Sequence, residues 1–192
     1  MNSTRIRIRR FTRREYDRLI DIGLLREDDP VELVEGRLLV AEPQRGPHAR
    51  AIELAADALR EAFGAGWRIR VQLPLALGAA SEPEPDVAVV RGTLRDAPPG
   101  HPTTAALVLE IADSSLYLDR GLKARSYARA AIADYWIVNL VDRVVEVHRE
   151  PARPGPARRR WGYAQVLTFA ADGAVTPLAA PAASIHVADL LP

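Results

Sequence analysis

The sequence predicts an α/β fold. Three observations carry that prediction. Apolar residues recur at three- and four-residue steps over Arg50–Phe63, the mark of an amphipathic helix. AALVLEIA (Ala105–Ala112) is a continuous apolar run broken only by Glu110, which reads as a strand buried on both faces. Between and after these stretches, short alternating segments separated by Pro- and Gly-rich loops read as further strands. At 192 residues the chain is expected to form a single domain over 1–192, with a core over 31–149.

The elements follow in order. Thr12 and Glu15 fit a capping box, so a helix is expected over 13–22, with Gly23 as its stop. VELVEGRLLVAE reads as a β-hairpin turning at Glu35-Gly36, with Glu35 a turn residue and Glu32 an unusual strand glutamate. After the Pro43–Pro47 loop comes the helix over Arg50–Phe63. His48, just ahead of that helix, reads as a cap or surface group. WRIRVQLPLAL (Trp67–Leu77) reads as a strand, with Gln72 its polar member. Asp86–Val90 is a short strand entered from Pro85, and Ala105–Ala112 is the buried strand. Ser114 or Ser115 can cap a helix over Leu118–Ala131, where Asp119, Lys123 and Tyr127 share one face at four-residue spacing. DYWIVNL (Asp134–Leu140) and RVVEVHR (Arg143–Arg149) read as a hairpin whose second strand is a half-exposed edge and a possible dimer contact. Trp161–Phe169 is a further strand, and Ile185, Val187, Leu190 and Leu191 are expected to pack back on the body.

Composition narrows the function. Apolar residues are 48% and charged residues 27%, ordinary for a globular chain. No run is long enough to span a membrane, and the N-terminus lacks a secretory core, so a cytoplasmic location is expected. With no cysteine there is no disulfide and no thiolate metal site. Net charge is only +1, so any polyanion contact would rest on local clusters. Two clusters exist, Arg5, Arg7, Arg9, Arg10, Arg13 and Arg14 at the start, and Arg149, Arg153, Arg158, Arg159 and Arg160 later. Both read first as solvated tail and loop.

The chemistry concentrates in Glu84–Ala131. Lys123 is the only lysine among 26 basic residues, and lysine supplies a compact ammonium that arginine does not. Glu110 inside an apolar strand needs a cation partner or a metal, because an unpaired buried carboxylate costs several kcal/mol. Asp86 and Glu110 on neighbouring strands can hold one divalent cation through oxygen ligands, which suits Mg²⁺ or Mn²⁺. A nearby amine can position water or stabilise charge on a phosphorane-like transition state.

The segments VELVEGRLLV, QLPLAL, EPEPDVAVV, LVLEIADSSLYLDRGLKARSYARAAIADYWIVNL and RVVEVHR together resemble the PD-(D/E)XK nuclease superfamily, and within it the bacterial Uma-two-type family. The resemblance implies a restriction-endonuclease-like core, a mixed β-sheet flanked by helices, with the N-terminal helix and hairpin as additions. It implies a metal-dependent endonuclease acting on nucleic acid, DNA in the first instance. By the resemblance Asp86, Glu110 and Lys123 are catalytic, and Asp86, Glu110 and Glu32 hold the metal. Gln72, Asp119 and Tyr127 support them. The superfamily usually places its lysine two residues after the second acid. Here that residue is Ala112, and Lys123 on the next helix takes the role. Asn139 stands where the family commonly has aspartate. Two other functions compete: a catalytically inactive nucleic-acid-binding or mobile-element accessory protein with the same fold, and a structural protein in which Asp86, Glu110 and Lys123 form a buried charge network.

Overall fold

The computed structural model describes residues 8–26, 28–41, 43–155 and 160–192. Arg5, Arg7, Arg158, Arg159 and the last residue of the expected hairpin, Glu42, lie outside the described residues. Helix α1 (Arg13–Asp21) begins at the expected capping box: the Thr12 hydroxyl accepts from the Glu15 N–H, and the Glu15 carboxylate accepts from the Thr12 N–H. Strands β1 (Val31–Val34) and β2 (Arg37–Val40) form the hairpin as a separate two-stranded sheet. Glu35 (φ 48°) and Gly36 (φ 74°) make its left-handed turn. A Cβ on Gly36 would lie 2.8 Å from Arg10 Cβ, so the N-terminal segment can pass closely only over a glycine.

Among the described residues, six strands form one mixed sheet in the order β3-β4-β5-β6-β7-β8. They are β3 (Trp67–Val71), β4 (Val87–Arg91), β5 (Leu107–Ala112), β6 (Asp134–Asn139), β7 (Val144–Ala152) and β8 (Gly162–Ala170). Neighbours are antiparallel except β5 and β6, which run parallel and are joined by a helical crossover. One face packs on helix α2 (Gly46–Phe63) through Ile52, Ala55, Leu59, Val87, Leu109 and Trp136. The chain end returns to that face, with Val175, Ile185, Val187, Leu190 and Leu191 joining the same core, as expected. The other face packs on the crossover through Val108, Ala128, Ile132 and Tyr135.

Several boundaries differ from expectation. The strand over Trp67–Leu77 stops at Val71, because Gln72 turns to φ 49° and leaves the extended region. Residues 73–77 then run as an irregular segment, with Ala76 N–H bonded to the Pro102 carbonyl and Leu77 N–H to that of Ser81. Helix α2 starts four residues before Arg50, since Gly46 and Pro47 open its first turn, where proline loses no hydrogen bond. The strand containing RVVEVHR is interior, paired with β6 on one side and β8 on the other. Its half-polar alternation comes from a buried Glu146–His148 pair, not from solvent, so this hairpin offers no free edge to a dimer partner. Among the described residues the edges of this sheet are β3 and β8. Arg149 belongs to β7, not to a loop: its Nε lies 2.9 Å from buried Asp134.

The crossover helix begins at Leu116 and has three parts, α3 (Leu116–Leu118), a π-helical turn (Asp119–Lys123) and α4 (Ala124–Arg129). The Ala124 N–H reaches back to the Asp119 carbonyl, one residue further than in an α-helix. Ser115 sits at the N-cap but makes no capping bond; its hydroxyl donates instead to the Asp119 carboxylate.

Candidate active site

Strand pairing brings the two acids together. Val87 on β4 pairs with Leu109 on β5, so Asp86 and Glu110 are the next cross-strand neighbours and project to the crossover face. Asp86 Oδ2 accepts the Ile111 N–H at 2.8 Å, which fixes the carboxylate at the strand end. Glu110 Oε2 lies 3.4 Å from the Asp86 N–H. The positive φ of Gln72 ends β3 beside them, and its Nε2 lies 3.5 Å from Asp86 Oδ1.

The crossover helix supplies the third group. Lys123 Nζ is 3.0 Å from Glu110 Oε1 and 3.2 Å from Glu32 Oε1. Tyr127, one turn on, donates its hydroxyl to Glu110 Oε1 at 2.6 Å. Asp119, Lys123 and Tyr127 do share a face, but it is buried against the sheet and not a solvated surface. Asp119 is bonded to Ser115, and Tyr135 donates to its backbone carbonyl. Glu32 reaches the site from the hairpin, where its second oxygen accepts the Glu84 N–H at 3.0 Å. Arg125 on the same helix pairs with Glu35 at 3.3 Å, which ties the hairpin turn to the crossover.

Glu32, Gln72, Asp86, Glu110, Asp119 and Lys123 line a cleft of about 700 Å³ between the hairpin, the start of α2 and the crossover. Its floor holds Asp86, Glu110, Asp119 and Lys123; Glu84, Asp113, Ser114 and Ser115 also line it. His48 lines it too, with Nε2 3.4 Å from Asp86 Oδ1. Sequence reasoning placed His48 outside the helix as a cap or surface group. The available signal was Gly46-Pro47, which starts the helix early and puts His48 in its first turn, facing the strand end.

The electrostatics follow from crowding. Glu110 is 2% exposed. Burial pushes its carboxyl up to about 8, against the pull of Lys123 and with help from Asp86, Asp119 and Glu32. Burial likewise pushes Asp119 up to about 6, against Lys123 and the Ser115 hydrogen bond. Burial alone would discharge Lys123, but Glu110, then Glu32, Asp119 and Asp86, hold its ammonium well above the ordinary amine range. Lys123 therefore stays cationic, and a surplus of carboxylates remains around it. The hydrogen bond to Asp86 raises His48 against the opposing effect of burial.

That surplus is the condition a divalent cation relieves. Among the described residues no three His, Asp or Glu side chains gather around one point as a metal cage. Glu32 lies across the ammonium from Glu110, with one oxygen on Lys123 and the other on the Glu84 N–H. Asp86 and Glu110 are the two carboxylates that stand side by side at the strand ends, with Glu32 beside them on the lysine. Two carboxylates suit Mg²⁺, which keeps waters and shares substrate phosphates.

The family described as "Uma2: Putative restriction endonuclease" matches residues 13–187. Among solved structures, a protein from Anabaena variabilis titled a putative nuclease belonging to DUF820 is similar in fold, with a TM-score of 0.68 at 16% identity, covering 90% of this chain and 96% of its own. No curated protein matches the chain.

Proposed function

The chain belongs to the Uma2 family, and on that premise we propose that it is a metal-dependent endonuclease that hydrolyses phosphodiester bonds of nucleic acid, with DNA as substrate. The observation that carries the reading is the buried Lys123 ammonium, 3.0 Å from Glu110, beside the Asp86–Glu110 edge of the sheet. In a merely structural network the group would be closed off; here it floors an open cleft.

Asp86 and Glu110 would hold Mg²⁺ or Mn²⁺. When bound, such an ion ionises a water and offsets charge on the scissile phosphate. The chain's own residues do the rest. The Ile111 N–H holds Asp86 in place, and Gln72 and His48 flank its free oxygen. Tyr127 and Lys123 orient Glu110 through one oxygen and leave the other toward Asp86. Lys123, kept cationic by Glu110 and Glu32, donates to an attacking water or a phosphoryl oxygen as charge builds. Glu32 positions the lysine. Asp119 adds negative charge behind it and is steadied by Ser115.

Nucleic acid is the partner in this reading. Among the described residues no helix is long and apolar enough to cross a membrane, and a cytoplasmic location is part of the proposal. Titration of Mg²⁺ and Mn²⁺ into the protein by calorimetry tests the reading, together with cleavage assays on DNA and RNA. Saturable binding and metal-dependent cleavage, both lost in the Asp86→Ala, Glu110→Ala double variant, are expected. Cleavage that survives this variant would refute the assignment.

A further inference from the structure

The edge strand β3 carries two arginines that the active site does not use. Arg68 and Arg70 alternate on one face of β3, the face that also carries Ala88, Val90 and Asp86 on β4. Both are half-buried. Among the described residues neither has a carboxylate within ion-pair distance, and the Nε of each is buried without a hydrogen-bond acceptor. Arg70 spends one Nη2 donor on the Pro74 carbonyl at 3.1 Å. Burial and the neighbouring Arg68 charge both disfavour the Arg70 cation. Two like charges, partly desolvated and side by side, are an unfavourable arrangement unless an anion joins them. Elsewhere in this chain arginines at the sheet find acids, as Arg149 does with Asp134 and Arg120 with Glu146.

The position of the pair indicates which anion. Two residues beyond Arg70, Gln72 lies beside Asp86 at the cleft. Arg68, Arg70 and Gln72 thus follow one another toward the cleft along a strand that, among the described residues, has no sheet neighbour on its outer side. Alternate residues on a strand are about 7 Å apart, the order of the distance between successive phosphates of an extended nucleic-acid strand. Guanidinium forks match phosphate oxygens in geometry.

We propose that Arg68 and Arg70 form a phosphate-binding rail on the face of edge strand β3 that they share with Asp86, which takes the sugar-phosphate backbone of one nucleic-acid strand and leads it to the Asp86–Glu110 cleft. The inference rests on the nuclease reading and adds where the substrate strand runs. The rail contacts backbone and not bases, so it adds affinity without sequence preference.

Anisotropy of labelled oligothymidylate and oligouridylate, titrated with the full chain in Ca²⁺ over a range of salt concentrations, tests it. Arg68→Gln, Arg70→Gln should weaken binding about tenfold and reduce the salt slope by about 1.4, the contribution of two single-strand phosphate contacts. Arg68→Lys, Arg70→Lys should restore most of the slope, since the charge returns. The DNA and RNA arms show which backbone the rail accepts. If the double glutamine variant fails to fold, Arg68→Gln alone decides, with a slope reduced by about 0.7. An unchanged slope and affinity in the glutamine variants, with wild-type binding and metal-dependent cleavage intact, overturns the rail and leaves the nuclease reading standing. No salt-sensitive binding by wild type to either oligonucleotide also overturns the rail, while metal-dependent cleavage decides the nuclease reading separately.

Discussion

The Lys123 ammonium lies 3.0 Å from Glu110 Oε1, the same oxygen that accepts the Tyr127 hydroxyl. The chain's only lysine and a buried strand carboxylate are thus one unit, reached from a helix and not from the strand itself. Removing the lysine leaves Glu110 and Glu32 buried without their cation. Lys123→Ala should cost about 3 kcal/mol by denaturant unfolding. It should also lower metal-dependent cleavage by about 100-fold under conditions where the variant is folded. Lys123→Arg should recover part of the stability and little of the rate, because the larger planar fork does not fit between two carboxylates about 3 Å from one ammonium. Lost stability with full cleavage would remove Lys123 from the mechanism.

Metal binding should release a proton. Burial raises the Glu110 carboxyl to about 8 despite the Lys123 ammonium, so it must ionise to ligate a metal ion. At pH 7 the calorimetric heat should therefore vary with the ionisation enthalpy of the buffer, and apparent affinity should rise with pH until about 8. Glu110→Gln should abolish both effects. Buffer-independent heats in wild type would mean that Glu110 is already ionised or does not ligate.

The same shift has a consequence for stability without metal. Glu110 has a folded-state value raised above its unfolded one, so the folded state binds more protons between them. Stability should fall as pH rises from about 4.5 to about 8, and added Mg²⁺ should reverse the loss at the upper end. Urea midpoints across that range, with and without Mg²⁺, check it; Glu110→Gln should flatten the profile.

Glu146 should behave in the opposite sense. Although burial opposes it, the neighbouring His148 ring, hydrogen bonds from Arg120 and Asn139 and the Arg120 charge lower its value to about 2. Its stabilisation is present above the unfolded carboxylate range near 4.5 and is lost as pH falls toward 2. Arg120 grips Glu146 through Nε and Nη2 from within the π-helical turn that ends at Lys123. Glu146→Gln should cost about 2 kcal/mol, discounted because Arg120 is half-exposed. It should also remove the acid-side part of the stability profile in urea unfolding below pH 4.5.

Much of the fold was legible because its signals are local. The Thr12–Glu15 capping box, the Glu35-Gly36 turn and the apolar run of β5 are each set by neighbours in sequence. The end of β3 was not legible. WRIRVQLPLAL keeps a strand-like composition past Val71, but the backbone turns at Gln72, whose N–H bonds the Asp86 carbonyl on the neighbouring strand. The edge strand was misplaced for a related reason. Alternation in RVVEVHR reports polar residues on one face, and sequence does not distinguish a face turned to water from one turned to Arg120 and Tyr135.

The chemistry available is already present in residue type and spacing: a Pro-Asp entering a strand, a glutamate that a buried strand must neutralise, and one lysine spaced to share a helix face with Asp119 and Tyr127. Those are properties of residue type and period, and both are written along the chain. Which charges meet is set by folding alone. Cross-strand register set Asp86 beside Glu110, the hairpin brought Glu32 to the far side of the ammonium, and the early start of α2 delivered His48 to Asp86. Each is a contact between segments distant in sequence, fixed by packing of the whole domain.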